Sequence, residues 1–318
     1  MSRDPGTAVD LTTTVGSVTL PNPILTASGT SGHGAELAPY VDLGALGAVV
    51  VKSLSAEPWE GNPPLRVHET AAGMINSVGL QGPGVAAWLA DDLPRLLDVG
   101  ARVVASIWGR SVAEYEAAAA LLAGAPDEVV AVEVNLSCPN TEAARDLFAH
   151  SAESTRAAME ATAACGRPRW AKLSPNVTDL VPIAEAAVAG GAEAVTLVNT
   201  VLAMAVDPDT GDYRLGSGSR GGGLSGPAIH PIAVRAVHDV HAALPSLPIV
   251  GVGGVASGAD AAELILVGAS AVEVGTATFA DPRAPAHVLR ELADWLSRRT
   301  VTSIHDNVGA AHGTESST

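Results

Sequence analysis

Short apolar runs rich in valine and isoleucine recur at eight places along the chain. They cover residues 24–28, 48–54, 102–107, 129–136, 170–173, 194–199, 248–252 and 271–274. Each run is continuous rather than alternating in polarity, which is typical of strands buried on both faces of a parallel sheet. Alanine- and leucine-rich stretches with helical spacing separate most of them. This order predicts an α/β fold with a single (β/α)8 TIM barrel.

A short N-terminal β-hairpin is predicted before the barrel, because two β-rich segments within residues 9–20 meet at Val15-Gly16-Ser17. A doubly wound sheet is the alternative architecture, but it usually has fewer strands and a GxGxxG fingerprint after the first one. The first strand here runs into Ser28-Gly29-Thr30-Ser31-Gly32, which lacks that fingerprint. We therefore predict one barrel domain over residues 1–306 and a disordered, small and polar tail over residues 307–318.

Composition narrows the possible functions. The 318 residues include 34 acidic and 18 basic side chains, for a net charge of −16, which argues against nucleic acid or an anionic membrane as partner. Two cysteines, Cys138 and Cys165, cannot make a disulfide framework. The polar N-terminus lacks the apolar core of a signal peptide, and no apolar run reaches the ~20 residues of a membrane span. We expect a cytoplasmic protein.

Polar residues are concentrated where the predicted strands end, which is where barrels of this type carry their active sites. Lys52 and Lys172 lie at two such ends, and a lysine in a barrel mouth usually faces an anion, although a single one could simply extend to solvent at the rim. Glycine turns at Gly253-Gly254 and Gly275-Thr276 follow the last two strands, where barrels often bind phosphate; tight turns alone are the structural alternative. His238 and His241 could form a metal pair, but no third ligand is evident, so no metal is predicted.

Several longer motifs occur in register with the strands. They are Asn22-Pro23-Ile24 leading to Ala27-Ser28-Gly29-Thr30, Gly61-Asn62-Pro63 with Arg66, Asn76-Ser77-Val78-Gly79-Leu80-Gln81, Asn135-Leu136-Ser137-Cys138-Pro139-Asn140, Lys172-Leu173-Ser174-Pro175-Asn176-Val177-Thr178-Asp179, Gly222-Gly223-Leu224-Ser225-Gly226-Pro227 and Gly251-Val252-Gly253-Gly254-Val255. Together, from about residue 18 to 282, they resemble the class 1, cytosolic dihydroorotate dehydrogenases, and most closely the catalytic subunit of the NAD-linked B subtype.

The resemblance implies FMN in the barrel mouth and oxidation of dihydroorotate to orotate in pyrimidine biosynthesis. A base removes the C5 proton while hydride passes from C6 to flavin N5. The resemblance assigns the base to Cys138, on a loop after the fourth strand. A thiol with an ordinary pKa of ~8.5 suits that task when its surroundings adjust it. Free cysteines are more often small buried hydrophobes, which is how we interpret Cys165.

The resemblance also assigns binding residues. Those for the substrate are Lys52, Asn76, Ser77, Val78, Gly79, Leu80, Asn135, Asn140, Asn199 and Thr200, and those for FMN are Ser28, Lys52, Ser53, Ser106, Asn135, Lys172, Val198, Gly226, Gly253, Gly254, Gly275 and Thr276. Amides suit a cyclic diamide because each carries a donor and an acceptor. Lys172 is expected near flavin N1, where its charge stabilises the reduced ring.

Three segments depart from the family pattern. Ser106 stands where an asparagine commonly contacts FMN, residues 141–149 replace a glycine-rich stretch beside the lid, and Glu57-Pro58-Trp59-Glu60 alters a loop near the mouth. We expect these changes to affect the lid and not the class of reaction.

The B subtype passes electrons to a separate subunit that carries FAD and an iron–sulfur cluster. Two cysteines here cannot ligate a cluster that needs four, so these cofactors are expected only on a partner subunit. A homodimer is typical of class 1. Three alternatives remain open: a flavoenzyme similar to dihydropyrimidine dehydrogenase acting on another dihydropyrimidine, a flavin-binding barrel without turnover, and a flavin-free barrel acting on a sugar phosphate.

Overall fold

The computed structural model describes residues 9–137, 147–299 and 301–314. In it the eight apolar runs form the strands of a closed parallel barrel. In chain order the strands are β1 (Thr13–Val15), β2 (Val18–Leu20), β3 (Ile24–Thr26), β4 (Ala48–Val50), β5 (Val67–Thr70), β6 (Gly73–Asn76), β7 (Val103–Ile107), β8 (Val129–Asn135), β9 (Arg169–Lys172), β10 (Ala194–Leu197), β11 (Val201–Ala203), β12 (Gly222–Ser225), β13 (Ile249–Val252) and β14 (Ala271–Val274). Around the barrel the order is β3-β4-β7-β8-β9-β10-β13-β14, closing back on β3. The predicted (β/α)8 fold is confirmed.

Helices cover the outside of the barrel, both in the stretches between strands where helical spacing was found and after the last strand. They are α1 (Val85–Ala87), α2 (Leu93–Asp98), α3 (Val112–Leu122), α4 (Ala152–Ala161), α5 (Val181–Ala189), α6 (His230–Ala243), α7 (Gly258–Leu266), α8 (Ala277–Ala280) and α9 (Ala284–Ser297). A π-helical turn, Trp88–Asp92, joins α1 to α2. Ser257 and Asp260 form a capping box that fixes the start of α7 directly after the β13 turn.

The predicted N-terminal hairpin is present as β1 and β2, and it closes one end of the barrel. Its buried side chains Val15, Val18 and Leu20 form one core cluster with barrel side chains such as Val104 and Trp170. Most other members of that cluster, such as Ala48, Ala194 and Ala271, lie at or near the first residue of their strand, so the hairpin lies at the N-terminal end of the barrel. The opposite, C-terminal end of the barrel is therefore the end that remains available for a cavity.

A four-stranded antiparallel sheet in the order β11-β12-β6-β5 was not predicted from the sequence. It is built from the segments that follow β4 and β10, and it lies at the C-terminal end of the barrel, where Met74, Asn76 and Leu202 line the cavity. This sheet thus adds a wall to the mouth that a plain barrel lacks.

Helical structure is also present within residues 307–318, the segment predicted to be a disordered tail. Two 3-10 helices, Ile304–Asn307 and Ala310–Thr314, follow α9, and Val308 and Ala311 pack against the main core. The His238 ring stacks on His312 at 4.4 Å between centroids, so His238 packs the tail against α6. In the described ranges no group of three or more His, Cys, Asp or Glu residues could hold a metal. No helix in this part of the chain combines the length and apolar character that a bilayer crossing requires.

We predict that the packing of the hairpin makes a measurable contribution to the free energy of unfolding. Leu20→Ala removes a fully buried side chain from the closed end and should lower the free energy of unfolding by about 2–5 kcal/mol. Equilibrium urea unfolding measures the loss. Thr19→Ala, at the exposed neighbouring position of the same strand, is the matched control and should stay within ~0.5 kcal/mol of the parent. Equal effects at both positions would show that the hairpin does not close the barrel.

Candidate active site

A cavity of about 530 Å³ opens at the C-terminal end of the barrel, between the strand ends and the four-stranded sheet. Its volume lies in the range of small-molecule and cofactor sites. Most residues assigned from the sequence line it: Ser28, Lys52, Ser53, Asn76, Ser77, Val78, Gly79, Leu80, Asn135, Lys172, Val198, Asn199, Thr200, Gly226, Gly253, Gly254, Gly275 and Thr276. Cys138 and Asn140 lie outside the described residues. The strand ends therefore bring together groups that are up to 248 positions apart, from Ser28 to Thr276.

A chain of amides and hydroxyls crosses the floor of the cavity. Asn199 Nδ2 donates to Asn135 Oδ1 at 3.1 Å, and Asn135 Nδ2 donates to Ser53 Oγ at 3.1 Å. Asn199 Oδ1 accepts from the Thr200 N–H at 2.8 Å, and the Tyr115 hydroxyl donates to the backbone carbonyl of Asn135 at 2.7 Å. These bonds fix the orientation of both amides, so each presents a defined edge to a ligand before any ligand arrives.

Ser106 does not reach this cavity. It is fully buried behind Ser53, with 2.9 Å between the two hydroxyl oxygens, and it donates to Glu133 Oε1 at 3.3 Å. The assignment of Ser106 as a direct cofactor contact therefore differs from the structure. The serine side chain is too short to pass Ser53, and it instead connects the cavity floor to a buried carboxyl group inside the barrel.

Lys172 lies at the cavity with only 4% of its surface exposed, and two glutamates hold its ammonium group from within the barrel. Nζ is 2.8 Å from Glu273 Oε2 and 3.4 Å from Glu133 Oε1, and both glutamates are fully buried. Burial alone would lower the pKa of Lys172, but the two carboxyl groups outweigh burial and raise it. Lys172 therefore carries its positive charge throughout the physiological pH range.

Lys52 is the second lysine of the cavity. Its backbone N–H donates to the Gly32 carbonyl at 2.9 Å, and its side chain passes so close to Gly29 that a Cβ there would lie 3.1 Å from Nζ. The ends of two separate strands, β4 and β9, thus present two cations to one cavity. Such a pair suits a ligand that is anionic or becomes so during a reaction.

The wall opposite the floor is set by the close approach of two backbones. Asn76 Nδ2 donates to the Gly223 carbonyl at 3.2 Å across the β6–β12 pair. A Cβ at Gly223 would collide with the Thr200 hydroxyl, so only glycine lets β12 approach Thr200. Asn76 and Thr200, assigned to the substrate from sequence, are therefore held on neighbouring elements by the glycine-rich motif.

The glycine turn after β13 lies at another edge of the cavity. Gly254 has φ +67°, in the left-handed region that favours glycine, and a Cβ there would lie 2.8 Å from the Gly226 carbonyl oxygen. His230 Nδ1 contacts the Gly253 carbonyl at 2.7 Å and thereby anchors the turn from α6. At the following turn, the Thr276 hydroxyl donates to Ser225 Oγ at 2.8 Å.

An aromatic and cationic cluster at the rim was missed by sequence reasoning. Trp59 packs edge-on against Trp108 with ring centroids 6.0 Å apart, and the Arg110 guanidinium lies 4.4 Å from the centroid of the Trp59 ring. The Trp59 indole N–H donates to the Gly79 carbonyl at 2.9 Å, which fixes the 77–80 segment that lines the cavity. The altered loop at 57–60 was noticed in the sequence, but nothing there indicated that Trp59 would face Trp108.

Cys165, unlike Cys138, can be described, and it is unsuited to acid–base chemistry. It is fully buried at the end of a 3-10 helix, and burial raises the pKa of its thiol. Its interpretation as a small buried hydrophobe therefore fits its surroundings.

Similarity to known proteins agrees with this geometry. A family model described as dihydroorotate dehydrogenase matches residues 10–296. The protein of Desulforudis audaxviator named dihydroorotate dehydrogenase B (NAD(+)), catalytic subunit, is 47% identical over 301 residues, which cover 94% of this chain and 97% of the relative. The subunit of the same name from Alkaliphilus oremlandii is 44% identical over 296 residues, covering 93% and 96%.

A third relative differs in its named electron acceptor. The protein of Solibacter usitatus named putative dihydroorotate dehydrogenase A (fumarate) is 46% identical over 306 residues, which cover 94% of this chain and 97% of the relative. The match of the family model to most of the chain, together with relatives that align over nearly their whole length, confirms the resemblance found in the sequence. The chain belongs to the dihydroorotate dehydrogenase family, with the B-subtype catalytic subunits among its relatives.

Proposed function

We propose that this protein oxidises dihydroorotate to orotate in pyrimidine biosynthesis with FMN as its bound cofactor. The observation that carries the proposal is the convergence of Lys52, Lys172, Asn135 and Asn199 on one cavity at the C-terminal end of the barrel. Orotate is a planar cyclic diamide with a carboxylate, so it needs paired donors and acceptors together with positive charge. The floor of the cavity supplies both.

The residues present fit FMN. Lys172 uses two N–H bonds on Glu133 and Glu273, and its third N–H has no protein acceptor within the described ranges, so it can donate to a ligand in the cavity. The turns at Gly253-Gly254 and Gly275-Thr276 edge the same cavity and suit a phosphate. When bound, FMN supplies the acceptor for the hydride that leaves the substrate.

The chain's own residues then perform three tasks. The amides of Asn135 and Asn199, already oriented by the floor hydrogen bonds, hold the pyrimidine ring in one register, with Asn76, Thr200 and the 77–80 backbone on the opposite wall. Lys52 balances the anionic charge of the substrate. We assign to Cys138 the removal of the C5 proton, on the basis of the sequence motif alone.

The electron acceptor belongs to the proposal as well. Names of B-subtype catalytic subunits among the relatives support a separate electron-transfer subunit with FAD and an iron–sulfur cluster, which passes electrons to NAD. One relative is named for fumarate, so direct reduction of fumarate is the alternative against which transfer to a partner subunit should be tested. We also expect a homodimer in the cytoplasm.

The central prediction concerns the purified, FMN-loaded protein mixed with L-dihydroorotate under anaerobic conditions. The flavin absorbance should bleach in a single turnover, and one equivalent of orotate should form per flavin. Stopped-flow absorbance and chromatography of the products measure both. If the flavin stays oxidised with dihydroorotate but is bleached by dihydrouracil, the substrate is another dihydropyrimidine. A chain that cannot be loaded with FMN would overturn the proposal.

A second prediction concerns the base. Cys138→Ser raises the pKa of the reacting group by several units, so flavin reduction at pH 7 should slow by about 10²-fold or more and recover as the pH rises. Cys165→Ala is the matched control, because it removes the other thiol at a buried position away from the cavity and should keep the parental rate. Full activity of Cys138→Ser at neutral pH would refute the assignment.

A third prediction concerns the floor amides. Asn199→Leu keeps the approximate volume but removes the amide that lines the cavity and its hydrogen bond to Asn135 Oδ1, so orotate should bind at least tenfold more weakly. Perturbation of the flavin spectrum on titration with orotate measures this dissociation constant. The dissociation constant for FMN, measured on the same variant, serves as the internal reference and should change much less. Unchanged orotate affinity would remove Asn199 from the substrate site.

A further inference from the structure

Two glutamates and one lysine share the closed interior of the barrel directly behind the cavity. Glu133 on β8, Glu273 on β14 and Lys172 on β9 are between 0% and 4% exposed, and Lys172 Nζ contacts one oxygen of each carboxyl group. If all three were ionised, this water-excluded cluster would carry a net charge of −1. An uncompensated buried charge costs several kcal/mol.

The carboxyl oxygens that do not contact Lys172 suggest how the net charge of −1 is removed. Glu133 Oε2 and Glu273 Oε1 are buried, and neither accepts a hydrogen bond from any donor in the described ranges. Two carboxylates held against one ammonium group would also repel each other, whereas a proton taken up by the pair removes that repulsion. Both carboxyl groups lie within hydrogen-bond distance of the same Lys172 Nζ, so their charges act on each other at a buried position.

We propose that Glu133 and Glu273 share one proton, so that with the Lys172 ammonium they form a neutral buried triad that sets the electrostatic environment of the flavin. Both glutamates are positioning residues in this view, because they act on the cofactor through Lys172. The inference deepens the proposed function and rests on its flavin.

The direction of the neighbouring hydrogen bonds indicates which carboxyl group holds the proton. Along the floor, Asn199 donates to Asn135 and Asn135 donates to Ser53, so the Ser53 hydroxyl is left to donate to Ser106, and Ser106 donates to Glu133 Oε1. Glu133 therefore accepts from Ser106 and from Lys172, as a carboxylate does. Among the described residues, Lys172 alone donates to Glu273, through Oε2, so Glu273 is the better site for the proton.

The electrostatic balance agrees with that assignment. Burial and the neighbouring Glu133 charge raise the pKa of Glu273 well above its ordinary value, although Lys172 acts in the opposite direction. The same two glutamates in turn raise the pKa of Lys172. A proton on Glu273 leaves one ammonium paired with one carboxylate, so the flavin faces a lysine whose charge is already balanced from behind.

The test compares the midpoint potential of bound FMN in the wild-type holoenzyme with three variants. Glu273→Gln replaces a neutral acid by a neutral amide and should leave the potential unchanged. Glu133→Gln should also leave it unchanged, because the shared proton is lost and Glu273 becomes the one carboxylate opposite Lys172. Lys172→Gln removes the positive charge and should lower the potential, which shows that the flavin senses this cluster.

One outcome of the redox measurement overturns the proposal. If both glutamates are ionised in the wild type, either single variant removes a negative charge and should favour reduced over oxidised FMN tenfold or more, a shift of about 30 mV for a two-electron couple. Glu128→Gln, at an exposed position just before β8, makes the same chemical change at the surface and is the matched control.

A second measurement needs no flavin. Infrared spectroscopy of the full chain without FMN should show the carbonyl stretch of a buried carboxylic acid at neutral pH, shifted in D2O, and lost in Glu273→Gln but kept in Glu128→Gln. Absence of that band from the wild type would refute the shared proton even if a variant fails to load FMN. Presence of the band in a chain that never binds FMN would keep the shared proton and reject the proposed function instead.

Discussion

Eight strands that run in the same direction around a closed ring are the constraint on which the rest of this structure depends. Because every strand of the ring is parallel to its neighbours, all eight C-terminal ends meet at one rim. Residues as distant in sequence as Ser28, Asn135 and Thr276 thereby line one cavity. The hairpin fills the other end, so the rim is where backbone and side-chain groups of the strand ends remain available to a ligand.

The rim and the barrel interior are connected and do not act as separate layers. The hydrogen-bonded floor leads from Asn199 through Asn135, Ser53 and Ser106 to Glu133, which also contacts Lys172. A change at Ser106, which is not among the residues that line the cavity, can therefore alter the orientation of the Asn135 amide, which is. This connection gives a reason for a polar side chain at position 106, where burial is complete.

The fold and most of the cavity could be predicted from the sequence because both follow from local patterns. Apolar runs mark the strands, and a polar residue at the end of such a run, as at Lys172, has only the rim to occupy. The mouth sheet could not be predicted this way. Its strand β12 is Gly-Gly-Leu-Ser, which has little intrinsic preference for a strand, so pairing with β6 and β11 determines its conformation.

The buried triad escaped sequence reasoning for a different reason. Glu133 and Glu273 each interrupt an apolar run with one charge, but 140 positions separate them and only the closed ring brings them to Lys172. Ser106 was assigned to the cofactor because its strand end is the right one, whereas the side chain is too short to pass Ser53. Side-chain length and depth, unlike strand position, are three-dimensional properties.

The hairpin has a consequence for the traffic of small molecules. Val15, Val18, Leu20 and Trp170 fill one end of the barrel, so among the described residues the cavity is reached from the C-terminal end. Molecules that bind at the same place in the cavity therefore enter and leave at the same end, and one of them excludes the other while it is bound.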